Sequence, residues 1–459
     1  MLGASLNKAF EHPDPGLQFP WNLTQLGLLV FPLSPFLGAV SLGFAVLLTW
    51  LQKSHIINRR PLNWGFALLS VLLIITAGLA SDKIQALLGL FNFLPFFLVF
   101  VGLSALIQTP AQLRQIAWIL VIGSLPVVIM GLGQSFLGWN LNLQFLWIVL
   151  EWTIARGGEP LGRMSSIFMH ANTFAAYLII VFTLSFSLWL DTYQQLKVKR
   201  QQSRAKELTR FSPRPPLSHS PYLPLLFLTL TGIIIFIALI FTNSRNGWAI
   251  AIFVCLAYAL YQGWRIIVGS VVGIVTSVLL AAFAPSPVAQ FFRQYVPAFF
   301  WARINDDMYP DRPVALMRKT QWEFALSLAQ QHPWTGWGLR SFTQLYKAQV
   351  QINLGHPHNL FLMLSAETGF PTTLLFCSLL GWILITGIQL VRKSKYIDKQ
   401  ERLIFFSYLV VFVGWMLFNT VDVTLFDFRL NTLLWIFLAA ISGVVHRYNQ
   451  PDRLVAPYN

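Results

Sequence analysis

The sequence predicts an all-α integral membrane protein of about twelve transmembrane helices with one large extramembrane segment. Three observations carry this. Of 459 residues, 56% are apolar and only 11% charged, with a mean hydropathy of +0.61, far from the mix of a soluble domain. Apolar runs of membrane length recur along the chain, each near the roughly 20 residues that a bilayer core of about 30 Å demands. The surplus of lysine and arginine, a net charge of +15, gathers in the short connections between those runs, which is the pattern of membrane orientation and not of nucleic-acid binding.

The N-terminal run from about residue 21 to 52 is too long for one span and is interrupted by "FPLSPF", where Pro32 and Pro35 remove helix hydrogen bonds; it reads as one short and one full helix. Ten further runs follow near 63–80, 84–107, 115–137, 166–190, 222–242, 247–263, 266–284, 359–391, 403–420 and 430–446. Basic residues then fall on one side: Lys53, Arg59, Arg60, Arg114, the cluster from Lys197 to Arg214, Arg265, the cluster from Arg392 to Arg402, Arg447 and Arg453. By the positive-inside rule that side is cytoplasmic; with twelve spans both termini lie there too, whereas eleven would move the N-terminus outside. The start of the chain lacks the basic stretch and small-residue cleavage site of a signal peptide, so the first spanning helix is expected to direct membrane insertion.

The expected organisation is an N-terminal transmembrane bundle over 1–190, a basic cytoplasmic loop over 191–221, transmembrane helices over 222–284, a periplasmic loop subdomain over 285–358, C-terminal transmembrane helices over 359–446 and a cytoplasmic tail over 447–459. The 191–221 loop, basic and ending in "SPRPPLSHS", reads as a disordered linker that enforces topology. Within 285–358, Met317, Trp322, Phe324, Ala325 and Leu328 lie near helical spacing before the break "HPWTGWG", which predicts amphipathic helices lying at the outer mouth. Cys255 and Cys377 sit inside apolar runs and form neither a disulfide framework nor a cysteine metal site.

Ionisable groups at the ends of spanning helices are costly unless paired or used, and three clusters fall on the outer side. "LGRMSSIFMHANTFAAYL" offers Arg163, His170 and Asn172; "FTNSRNGWAI" offers Arg245; "GHPHNLFLMLSAETGF" offers His356, His358, Asn359 and Glu367. Two guanidinium forks delivered from different helices suit a phosphate at the bilayer surface. Structural readings stay open beside that one: Arg245 as an interfacial anchor or a partner of Asp422 or Asp427, and Arg163 in a local bridge to Glu159. His358 stands where an imidazole can take a proton from a hydroxyl, or is simply a hydrogen-bonding surface residue. A metal pair His356–His358 with Glu367 as third ligand is disfavoured, since nine residues of helix rotate about 900° and turn the carboxylate to the opposite face.

The succession "GRMSSIFMHANTFAAYL", "NSRNGW", "RKTQWEFALSLAQQHPWTGWGLRSF" and "HPHNLFLMLSAETGF", over roughly 160–390, resembles the O-antigen ligase and polymerase family of bacterial membrane glycosyltransferases. The family's ligases carry a His followed by Asn, Ser or Gln, nine residues, and then Gly-x-x-Gly; His358, Asn359 and Gly369 fit, and Thr372 stands where the last glycine would be. The resemblance implies a GT-C-like fold acting in polysaccharide or lipopolysaccharide biosynthesis. It implies metal-independent transfer of glycan from an undecaprenyl or similar polyprenyl diphosphate to a lipid, glycan or protein acceptor at the periplasmic face, with no cofactor and no nucleic acid. It assigns His358 to the acceptor hydroxyl and Arg163 and Arg245 to the diphosphate, and leaves Asn172, Arg340 and Asn359 as sugar or acceptor contacts. The alternative is a secondary transporter of a small anion such as bicarbonate, which calls for ionisable residues or helix breaks near the bilayer midplane; the polar clusters lie at helix ends instead.

Overall fold

A computed structural model describes residues 11–146, 150–207, 222–305, 313–393 and 397–449. Ten helices within them are long and apolar enough to cross a membrane. The N-terminal run divides as its prolines require: α1 (Gln18–Val30) ends before Pro32, and α2 (Pro35–Ile57) starts at Pro35 with Ser34 as its cap, its hydroxyl accepting the Leu37 amide. With 13 residues, α1 is about 20 Å long and too short to cross alone.

Next come α3 (Pro61–Leu79), α4 (Lys83–Leu90) and α5 (Leu94–Leu106). The last two form one apolar span broken at residues 91–93, just ahead of Pro95, whose ring clashes with a continuous helix. α6 (Pro110–Phe136) opens with a capping box between Thr109 and Gln112. A small antiparallel hairpin, β1 (Leu141–Phe145) with β2 (Leu150–Ile154), is the one departure from the all-α expectation among the described residues.

α7 (Ala171–Glu207) continues through the first half of the segment expected to be a loop from residue 191. An apolar helix packed inside the bundle carries its regular backbone onward into a polar stretch of good helix formers. The rest of the expected disordered linker, 208–221, lies outside the described residues, as does the tail from residue 450. α8 (Leu223–Phe241), α9 (Arg245–Gln262) and α10 (Arg265–Phe283) follow. α9 spans 18 residues and, like α1, falls outside the ten, so an expected count of twelve requires both.

The 285–358 segment forms α11 (Ser286–Tyr295), α12 (Ala298–Ile304), α13 (Arg318–Gln331) and α14 (Ser341–Val350). Ala325 and Leu328 of α13, Phe342 and Tyr346 of α14, and Ala366 of α15 (Leu360–Lys393) bury a satellite core with Phe324 packed on it. Met317 of the expected apolar face is exposed instead, because α13 begins after it. α16 (Lys399–Asn419) and α17 (Phe428–Tyr448) complete the chain. The centre of the bundle is aromatic: Trp435 of α17 meets Phe66, Phe97 and Phe100 at ring separations of 5.4, 5.0 and 6.1 Å, within the range where edge contacts add to burial.

Polar contacts tie the helix ends into two faces. On one, Lys53 pairs with Asp14, Arg114 with Asp191, Gln194 with Gln262, and Tyr448 with Glu401. On the other lie the ends of α8 and α16 and the starts of α7, α9, α15 and α17, joined by the contacts described below.

The break in α15 explains the "HPWTGWG" stretch. Gly369 adopts φ 77° and ψ 166° inside the helix, and the loop fills the gap: Trp337 N donates to Ala366 O at 3.0 Å, Gly338 N to Glu367 O at 2.9 Å, and Phe370 N to Pro333 O at 2.8 Å. Irregular backbone beside a membrane helix is tolerated when its polar groups are paired within protein. A Cβ on Gly369 would lie 2.5 Å from the Trp334 carbonyl oxygen, and its positive φ already disfavours a side chain. Gly369→Ala is therefore expected to cost about 2 kcal/mol or more and to lower the thermal midpoint of the purified protein. An unchanged midpoint in detergent would refute this account of the kink.

Candidate functional site

His358 is delivered to the site by a turn. Its φ is 53°, a left-handed conformation that costs a non-glycine residue about 1 kcal/mol and tends to occur where function holds it. Its amide donates to His356 Nδ1 at 3.2 Å, and Asn359 closes the turn as the cap of α15, its Oδ1 accepting from the amides of Phe361 and Leu362 at 3.0 Å each. The side chain of Asn359, expected as a substrate contact, thus has a structural task of its own.

The turn presents His358 Nδ1 to Asp422 Oδ1 at 3.1 Å. Asp422 lies between α16 and α17 and is buried. Its other oxygen accepts from Asn172 Nδ2 at 3.0 Å, and the Val423 amide reaches Oδ1 at 2.9 Å. Asn172 in turn accepts from Arg163 Nη2 at 2.6 Å, while Arg163 Nε donates to the Thr242 carbonyl at 2.9 Å. Thr242 lies three residues before Arg245, the first residue of α9, whose cap is Ser244. One continuous chain of hydrogen bonds therefore runs from His358 through Asp422 and Asn172 to Arg163 and the loop that bears Arg245.

Arg340 lies elsewhere, its Nη1 reaching Gln85 of α4 at 3.5 Å. Glu367 is also turned away: buried, it accepts the Phe342 amide at 3.3 Å at the start of α14, as the helical rotation predicts. His356 stacks on Phe426 with ring centroids 6.1 Å apart and brings Nε2 to 3.9 Å from Asp422 Oδ1. The donor atoms of His356, His358 and Asp422 lie within 4.8 Å of one another, so this trio could hold an ion, its carboxylate coming from a different connection than Glu367.

Electrostatics fixes the charge states of two members. Burial pushes the Asp422 carboxyl up, but the hydrogen bond and charge of His358, the charge of His356 and the Val423 amide override it and hold it at about 2. Burial first, and then the neighbouring His358, push the His356 imidazole down to about 4. At neutral pH the site therefore holds a carboxylate beside a neutral His356. The ionised carboxylate accepts the His358 Nδ1–H, and the tautomer that this bond selects in a neutral ring carries its lone pair on Nε2.

Residues 230–377 match the O-antigen ligase family model. The match to an O-antigen ligase domain runs from within α8 to within α15 and supports the resemblance read from the motifs, three of which lie inside or overlap it. The ten membrane-length helices are those of a multi-pass membrane protein, and the ligase match supports a glycan-transfer role. No curated protein matches the chain. The ligase domain contains Arg245, Arg340, His358 and Gly369, while Arg163, Asn172 and Asp422 come from outside it, so the hydrogen-bonded chain joins the domain to the flanking helices.

Asp422 is the residue that sequence reasoning missed, having considered it only as a partner for Arg245. An acid in the short connection "NTVDVTLFD" between two apolar helices was the available signal, but its pairing with a histidine 64 residues earlier is a tertiary fact.

The lowered His356 pKa sets a pH dependence. A histidine kept neutral in the fold contributes stability above its ordinary value of 6.5 that is lost as pH falls toward about 4, because the unfolded chain binds the proton first. Thermal midpoints measured from pH 7 to 4.5 are expected to fall by an amount worth on the order of 1–3 kcal/mol, and His356→Gln to flatten that slope. Equal slopes in both proteins would show that His356 is not held neutral.

Proposed function

We propose that the protein is a glycosyltransferase that moves a glycan from a polyprenyl diphosphate, of the undecaprenyl class, to a hydroxyl acceptor at the periplasmic face of the bacterial inner membrane, on a GT-C-like fold of about twelve spans. The observation that carries this reading is the chain Arg163–Asn172–Asp422–His358. It couples a cation suited to phosphate with an imidazole suited to a hydroxyl, across helices that share no local sequence.

In this reading the acceptor oxygen attacks the anomeric carbon as the bond from that carbon to the phosphate oxygen breaks. The hydroxyl proton passes to His358 Nε2, and Asp422 stabilises the imidazolium that forms. The diphosphate leaves with the bonding electron pair, its charge met by Arg163 and Arg245. One direct displacement inverts the anomeric centre. Arg163, Arg245 and His358 are the proposed catalytic and donor-binding set, Asn172 positions Arg163 against Asp422, and Asn359 and Arg340 also hold the start of α15 and Gln85 of α4. Whether the acceptor is a lipid, a glycan or a protein decides between ligase and polymerase. The ligase match favours glycan transfer over the alternative of anion transport.

The test is transfer by the purified protein from an undecaprenyl diphosphate glycan. His358→Ala and Asp422→Asn are expected to lower kcat by about 10²-fold or more, and Arg245→Ala to weaken donor use. Activity equal to wild type in all three would overturn the assigned roles. We propose transfer without a metal, so activity is expected to survive EDTA; its loss and restoration by zinc would instead make His356, His358 and Asp422 a metal centre.

A further inference from the structure

Arg429 is an arginine of the same face that the mechanism above does not use. It stands in the first turn of α17, seven residues after Asp422 and in the same stretch of chain. Its guanidinium carbon lies 5.0 Å over the ring of Phe168, and Phe168 ends the turn Ser166–Phe168, which links Arg163 to Asn172. The third guanidinium is thus mounted on the segment that carries one end of the hydrogen-bonded chain and on the helix that follows the other.

What marks Arg429 is an incomplete set of acceptors. The residue is half-buried, its Nε is buried without a hydrogen-bond partner, and among the described residues its guanidinium makes no ion pair within 4.0 Å, although Asp427 and Glu151 act on it by charge from further away. Asp427, the nearest acid in sequence, spends Oδ1 on the Leu430 amide as the cap of α17. Beside it the Tyr177 hydroxyl, fully buried, also has no partner. Of the five N–H donors of a guanidinium, the Nε–H is withdrawn from water here without an acceptor, which is costly. Its place in the first turn adds to the cost, since the positive end of the helix dipole disfavours a cation. A ring contact recovers only part of this. An oxyanion with several lone pairs would recover the rest.

We infer that Arg429 binds a phosphoryl oxyanion, namely the second phosphoryl group of the polyprenyl diphosphate donor. The inference rests on the transfer reading and deepens it. Arg163 and Arg245 meet one phosphoryl group, and Arg429, reaching in from α17, meets the other. The site would then select a diphosphate carrier over the monophosphate of the same chain, and over the phosphate of a bilayer lipid.

The test measures binding of undecaprenyl diphosphate and undecaprenyl monophosphate to the full-length protein in nanodiscs, and of phosphatidylglycerol vesicles to the protein in detergent. Wild type is expected to prefer the diphosphate, and Arg429→Gln to lose about 10- to 100-fold in affinity for it with the monophosphate little changed. Arg429→Lys should recover part of the loss, and neither variant should lower the thermal midpoint. An unchanged ratio of diphosphate to monophosphate affinity in Arg429→Gln would overturn the inference. So would a lowered thermal midpoint with that ratio intact, or a loss confined to the vesicles. If wild type binds neither carrier, the transfer reading itself fails; if it binds the diphosphate and Arg429→Gln binds it equally well, only the role of Arg429 fails.

Discussion

A single buried carboxylate organises one face of this protein. Asp422 accepts from His358 on one oxygen and from Asn172 on the other, and through them it fixes the relative positions of α7, α15 and the connection between α16 and α17. Removing a charge from water is expensive unless its lone pairs are satisfied, and here each oxygen has a side-chain partner from a distant segment. The carboxylate stays ionised in spite of its burial because the histidine opposite it favours the charged form. That same charge sets the histidine tautomer, so the electrostatics that stabilises the loop also prepares Nε2 as a proton acceptor.

The rest of the scaffold keeps that arrangement in register. The aromatic centre around Trp435 anchors α17 to α3 and α5, and Asp427 caps the end of α17 nearest the site. On the α15 side the helix breaks at Gly369 and takes the "HPWTGWG" backbone into the gap. This ties the 285–358 segment to the helix headed by His358, with Glu367 holding the start of α14 from inside the bundle. The glycine of the family motif is therefore explained by close backbone approach, and Thr372 lies beyond the bend, where the helix has resumed. Its departure from glycine leaves the kink intact.

The ligase domain at 230–377 contributes His358 and Arg245 but not the carboxylate that orients the one or the asparagine that joins the network. Surrounding helices supply those. A site assembled from the domain and its flanks accounts for a motif set that extends from residue 163 to 369 while the family match covers only its later part.

Much was legible in the sequence. Hydropathy marked the helices, since a bilayer leaves backbone polar groups no other partner, and the prolines at 32 and 35 divided the first run where they stand. Helical rotation separated Glu367 from His358 without any structure. Polar clusters at helix ends named Arg163, Asn172, Arg245 and His358 because charge there is costly enough to need a reason. What sequence could not supply was partnership across the bundle. Asn359, read as a substrate contact, also caps a helix; Arg340, read as a site residue, reaches Gln85 of α4; Asp422 was considered only as a partner of Arg245, and Arg429 drew no role. Each outcome depends on which distant side chain completes or leaves open a hydrogen-bond valence, and that is decided by how helices pack, through contacts between residues tens to hundreds of positions apart that no local pattern encodes.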